Sequence, residues 1–299
     1  MSCQDLNLLN WIKMIKYNKY LILIIIMSVF LFAGVPLKKA NVGLISKEEK
    51  IGVVVSILPL AEFVEQVGKD KVEVTVIVPP GADPHLFELT PVQLKKISQA
   101  QLYVEVGSGL NFELTWMDKI KLIYKDMLIC NSSIGITLVD KDPHIWLSPR
   151  NAKTMVENIS KALIKIDPLS QKYFKKNSIE YINKLDILDK EIKARLEGVK
   201  NRRFISYHPS WGYFAKGYDL IQIAIEDKGK EPSAASLAHI IDQTRAFNIS
   251  IILVSPQYNI KSAEVVAKEV GAQIIKADPL SMDYINNLRK LVEEIITVR

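Results

Sequence analysis

The sequence predicts an α/β protein of two lobes with mostly parallel sheets, joined by a long helical connector. Three observations lead there. Short apolar, β-branched runs alternate with longer helical stretches from residue 51 onward, as strand and helix layers do. The alternation stops over residues 151–197, which are polar, rich in Lys and Glu, and helical in period. It then resumes through the rest of the chain. At 299 residues, with 48% hydrophobic and 24% charged, the chain is long enough for two ordinary domains and is globular in composition. The expected divisions are a leader over 1–40, a linker over 41–50, a first lobe over 51–150, the connector over 151–197 and a second lobe over 198–299.

The leader combines Lys13, Lys16 and Lys19 with an uncharged apolar run over residues 20–37. Positive charge before such a run describes a secretory signal or an N-terminal membrane anchor. The length fits both, being short for a span and long for a signal core, so cleavage stays open, with Ala40 as a small residue at a candidate cut. Export is expected in either case, to a periplasmic or cell-surface location. No Cys directly follows the run, which argues against a lipid-modified cysteine. The leader also holds five Lys and one Asp, leaving 34 basic and 32 acidic groups in residues 41–299. That near balance removes the main support for a nucleic-acid role. Cys3 and Cys130 lie on either side of the apolar run, so no intramolecular disulfide is expected.

In the first lobe, residues 51–57, 72–78 and 102–106 read as strands and 58–67 as a helix. A second helix is expected over 90–100, with Thr90 as its cap and Pro91 in its first turn. Strands of the second lobe are expected at 203–207, 220–225, 250–254 and 273–277.

The chain has four histidines, and three of them sit beside proline: Asp83-Pro84-His85, Asp142-Pro143-His144 and Tyr207-His208-Pro209. Neutral imidazole is a common ligand for zinc and its neighbours, and an adjacent Pro stiffens the loop that presents it. Asp278, before Pro279, adds a carboxylate. Three nitrogens and one oxygen would make a closed four-ligand site assembled only by folding. His208 and Asp278 each follow a strand, where open α/β sheets bind their ligands. His239 falls within a helical stretch and receives no metal role.

These motifs carry a resemblance. Residues 80–91 (Pro-Gly-Ala-Asp-Pro-His through Thr-Pro), 142–152, 207–218, 229–233 and Asp278-Pro-Leu280 together resemble the zinc- and manganese-binding solute receptors of bacterial and archaeal ABC importers, the group known as cluster A-I. The resemblance covers essentially residues 51–299. It implies one metal ligand from each of His85, His144, His208 and Asp278, with a long helix joining two lobes. It also implies a permease subunit in the membrane as partner. A monomeric receptor is expected. Histidine at 208, where manganese-associated members tend to carry Glu, points to Zn2+, with Mn2+ or Fe2+ as the alternative. The chain departs from many zinc receptors in lacking a His-rich loop, since residues 107–140 contain no His.

An enzyme is not expected, because no His-Glu-x-x-His helix is present and Asp278 would fill the position that a catalytic water needs. A surface-displayed adhesin or structural protein on the same scaffold is a further alternative. Trp146, Trp211, Tyr213 and Phe214 would then form a recognition surface, although packing around the metal loops is the expected use of such groups. If the three imidazoles titrate near their ordinary pKa, affinity should fall below about pH 6.

Overall fold

A computed structural model describes residues 49–139, 142–226 and 229–298. The leader and Cys3 lie outside the described residues. Two four-stranded parallel sheets organise the described chain. In the first, β1 (Ile51–Val55), β2 (Val72–Val76), β3 (Leu102–Glu105) and β4 (Leu128–Asn131) lie in the order β2-β1-β3-β4. In the second, β5 (Arg203–Ser206), β6 (Ile221–Ala224), β7 (Ile251–Val254) and β8 (Gln273–Lys276) repeat that order as β6-β5-β7-β8. Strands buried on both faces need no alternation, so Val53, Val54 and Val55 are all buried in β1.

Parallel pairing requires crossovers, and helices supply them. Helix α1 (Leu58–Gly68) carries Leu60, Phe63, Val64 and Val67 on its buried face between β1 and β2. Helix α2 (Pro91–Ser98) links β2 to β3. It begins as the sequence requires: Thr90 accepts from the Gln93 N–H while the Gln93 side chain accepts from the Thr90 N–H, a reciprocal cap. Between β3 and β4 runs α3 (Asn111–Ile123). Neither α3 nor β4 stands out in the sequence. Four residues, Leu-Ile-Cys-Asn, offer too little periodicity to separate an edge strand from a loop. Cys130 within β4 is buried, and desolvation pushes its thiol up to about 12, which leaves it an inert packing group.

Helices α4 (Pro149–Ile166) and α5 (Gln171–Glu197) follow the first sheet. The 27-residue α5 is the long helix that leads into the second sheet. Its buried stripe of Phe174, Asn177, Tyr181, Leu185, Leu188, Ile192 and Leu196 recurs every three to four residues. The second lobe adds α6 (Gly212–Gly217), α7 (Ala234–Ala246), α8 (Lys261–Val270) and α9 (Tyr284–Thr297). His239 lies on α7 and is exposed.

The main apolar core is continuous across these elements. It joins strands of the first sheet to α1, α4, α5, α9 and the aromatic residues Trp211 and Phe214 of the second lobe. A smaller core of Ile205, Ile225, Ile252, Val254 and Val266 serves the second sheet. Glu62 on α1 fastens three helices, accepting from the Tyr181 hydroxyl on α5 at 2.7 Å and from the first N–H of α9, at Tyr284, at 2.6 Å. Trp146, Trp211 and Phe214 are almost wholly buried, so they are core groups rather than an exposed recognition surface.

The long helix contributes to stability through its buried stripe. Leu185→Ala should cost about 2–5 kcal/mol in urea unfolding, as large-to-small changes in a packed core do. Ile187→Ala, at a position 53% exposed on the same helix, should stay within about 0.5 kcal/mol of the parent.

Candidate metal centre

The loops beyond the carboxyl ends of the strands carry the candidate ligands. His85 follows β2 on a turn in which Gly81 takes φ +80° and the Asp83 carboxylate accepts from the His85 N–H at 2.9 Å. His144 precedes α4. Asp142 Oδ1 accepts from both the His144 backbone N–H at 3.0 Å and the ring nitrogen Nδ1 at 2.8 Å. His208 follows β5, and its Nδ1 lies 2.8 Å from Glu226 Oε1, just past β6.

The fold brings these three histidines together: a ligating nitrogen from each lies within 4.8 Å of the others. Their ring centroids are 5.0–5.7 Å apart. With Nδ1 of His144 and of His208 donating to a carboxylate, each Nε2 presents a lone pair, and these two atoms are 3.3 Å apart. Two lone pairs facing at that distance repel unless a cation lies between them. Two ligands held about 2.05 Å from one ion at a tetrahedral angle are themselves about 3.3 Å apart, so the spacing is that of a tetrahedral zinc edge. The third imidazole contributes a buried Nε2 that has no hydrogen-bond partner among the described residues. Asn111, the first residue of α3, lies beside the His85 ring.

Burial governs the protonation of this cluster. Desolvation pushes His144 down to about 4, against the pull of Asp142. Desolvation also lowers His85, with the nearby His208 acting in the same direction. The expectation of titration near the ordinary imidazole range is therefore corrected for these two rings: both are held neutral, the form that binds a metal.

Asp278 lies outside the 4.8 Å histidine set. It follows β8, and its Oδ1 accepts from Gln257 Nε2 at 2.8 Å and from the Leu280 N–H at 2.9 Å. The Asp278 loop is nonetheless tied to the His144 loop, because the Trp146 indole donates to the Pro279 carbonyl at 2.7 Å. The Tyr284 hydroxyl in turn donates to the Trp146 carbonyl at 2.7 Å.

Sequence reasoning offers Asp83, Glu88 and Asp142 alike as acids near enough to fix a ring, and the structure puts Asp142 on a ring nitrogen and Asp83 on the His85 backbone N–H. It misses Glu226, Asn111 and Tyr258. Glu226 carried one signal, an acid directly after an apolar strand-like run, the same placement that marks His208 and Asp278. Asn111 carried none, since its helix was itself unread.

Comparison with known proteins identifies the family. The model of the family described as zinc-uptake complex component A, periplasmic (ZnuA), matches residues 53–298. The high-affinity zinc uptake system protein ZnuA of Bacillus subtilis (strain 168) is 34% identical over 254 residues, covering 76% of this chain and 78% of that protein. The zinc-binding protein AdcA of Streptococcus pyogenes serotype M3 is 30% identical over an alignment that covers 83% of this chain and 56% of AdcA. This chain thus spans little more than half of AdcA. A crystal structure of ZnuA superposes with a TM-score of 0.81 at 37% identity, covering 84% of this chain and 99% of the other. A match from residue 53 to 298, together with a relative sharing a third of its aligned residues, places the chain in the ZnuA family of periplasmic zinc-uptake components.

Proposed function

We propose that this chain is an extracytoplasmic receptor that captures Zn2+ between its lobes and delivers it to the membrane permease of an ABC importer. The observation that carries the reading is the 3.3 Å spacing of the His144 and His208 Nε2 atoms, which come from different lobes and are each backed by a carboxylate. His85 supplies the third nitrogen and Asp278 the fourth ligand. Both hydrogen bonds that the Asp278 carboxylate accepts among the described residues fall on Oδ1, which leaves Oδ2 to face the ion.

No covalent chemistry is required of such a site. The neutral His85 and His144 rings take the ion without first shedding protons, and the nearby carboxylates of Asp142, Glu226 and Asp278 compensate its charge. Three nitrogens and one oxygen favour a four-coordinate borderline ion, whereas manganese prefers a shell richer in oxygen. Because His85 and His144 belong to one lobe and His208 and Asp278 to the other, a small rotation lengthens metal bonds across the cleft and frees the ion. The site is complete within one chain, in keeping with a monomer. Residues 1–40 would serve the export that this role requires, as a signal or an anchor.

Metal content tests the reading. After incubation with zinc and removal of the excess, elemental mass spectrometry should find about one zinc per chain, as a single closed site requires. His144→Ala should retain less than about a tenth of that, because it removes one ligand of four. A parent protein that takes up no zinc, or a variant that keeps its full complement, would contradict the proposal.

The lowered pKa of His144 makes the metal-free protein sensitive to acid. Its imidazole is ordinary in the unfolded chain, at about 6.5, and depressed to about 4 when folded. Between those values the unfolded chain binds the extra proton, so stability is complete above the upper value and declines as the pH falls to the lower one. The gap corresponds to roughly 3 kcal/mol. Urea unfolding of the metal-free protein from pH 7 to pH 4 should show this loss, and His144→Ala should show a shallower decline. Equal slopes would mean that His144 is not buried as a neutral ring.

A further inference from the structure

We propose that Tyr258 is a positioning residue for ion capture, fixing the His208 ring by stacking and latching the second lobe to the first through a hydrogen bond to Asp83. This rests on the receptor reading above and extends it to the control of ion release.

Tyr258 sits in the segment that follows β7, at the same carboxyl end of the second sheet as His208 and Asp278. That segment is locally stiff. Pro256 takes the second position of a turn closed by the Tyr258 N–H donating to the Ser255 carbonyl at 3.3 Å. Its ring lies nearly parallel to the His208 imidazole, with centroids 4.7 Å apart and an interplanar angle of 24°. Glu226 fixes that imidazole by one nitrogen and leaves its plane free to tilt about the bond; a stacked ring removes the remaining freedom.

The far end of the same side chain crosses the cleft. The Tyr258 hydroxyl donates to Asp83 Oδ1 at 3.3 Å, the oxygen that already accepts from the His85 N–H. Burial raises the Tyr258 phenol far above its ordinary pKa, so it remains a donor at any physiological pH. One residue therefore touches the His208 ring on its own lobe and the carboxylate that shapes the His85 turn on the other. Gln257, its neighbour, donates to Asp278. A two-residue stretch thus makes contact with two of the four proposed ligands and with the turn that presents a third.

The hydroxyl–carboxylate distance is long for an O–H···O bond. A small inward rotation of the lobes around an ion shortens it, so the latch strengthens as the site closes and must break before the site opens. Its contribution should appear in the rate of release more than in the number of ions bound.

The test uses the full-length protein loaded with zinc, mixed rapidly with an excess of chelator and followed by the rate of zinc loss. Absorption spectra of the cobalt-loaded protein report the geometry of the ligand set. Tyr258→Phe keeps the stacked ring and loses the hydroxyl. It should release zinc about five- to tenfold faster, the scale of one hydrogen bond of ordinary strength, with the stoichiometry and cobalt spectrum of the parent. Tyr258→Leu removes the ring as well; it should release faster still and shift the cobalt bands, which a loss of stability alone would not do. Release from Tyr258→Phe within twofold of the parent rate would overturn the latch, even if Tyr258→Leu failed to fold. A parent protein that binds neither zinc nor cobalt would overturn the receptor reading itself, and this role with it.

Discussion

The structure depends on holding two imidazoles, from two different lobes, with their Nε2 atoms 3.3 Å apart. Left to itself that arrangement is unfavourable. It persists because each ring is committed on its other face: His144 Nδ1 to Asp142, and His208 Nδ1 to Glu226, whose side chain is only 5% exposed. Those carboxylates set the tautomer, and burial lowers the His144 pKa far enough to keep its ring from escaping the contact by protonation. The rest of the molecule can be understood as the scaffold that maintains this pair against repulsion. A cation relieves it.

The scaffold achieves this with a repeated device. Both sheets have the same strand order and direct the carboxyl ends of their strands, with the loops that follow, at the site. Between the lobes the contact is not a loose hinge alone. The main core runs through both of them, and a chain of hydrogen bonds leads from Asp278's neighbour Pro279 through the Trp146 indole and carbonyl to the Tyr284 hydroxyl. Glu62 then joins Tyr284 to the long helix by way of Tyr181. Such a frame restricts opening to small motions. That suits an ion about 2 Å from its ligands, for which a displacement of about 1 Å already breaks coordination.

Much of this was legible in the sequence. Runs such as residues 51–55 and 251–254 announce buried parallel strands, and Thr90-Pro91 announces a helix start, because local chemistry decides both. The long polar helix over 171–197 is visible as an interruption of the strand pattern. The histidine triad was legible for a different reason: with four histidines in the chain, three of them beside proline, each could be weighed individually. What the sequence hid was partnership at long range. Glu226 lies 18 residues from His208, and Tyr258 lies 175 from Asp83, and nothing local records either contact. β4 and α3 were hidden because a four-residue edge strand and a helix with a weak apolar stripe resemble loop sequence. Asp278 was legible as a candidate by its place after a strand, while its engagement with Gln257 emerges only from the fold.

The claim at the centre of this account is that imidazole nitrogens from both lobes clamp one zinc ion in a four-coordinate site. X-ray absorption at the zinc edge of the loaded protein addresses it most directly. The account predicts a shell of three nitrogens at about 2.0–2.1 Å and one oxygen at about 2.0–2.2 Å, with the outer-shell scattering of imidazole rings. A six-coordinate shell dominated by oxygen, or a shell with fewer than two imidazoles, would contradict it.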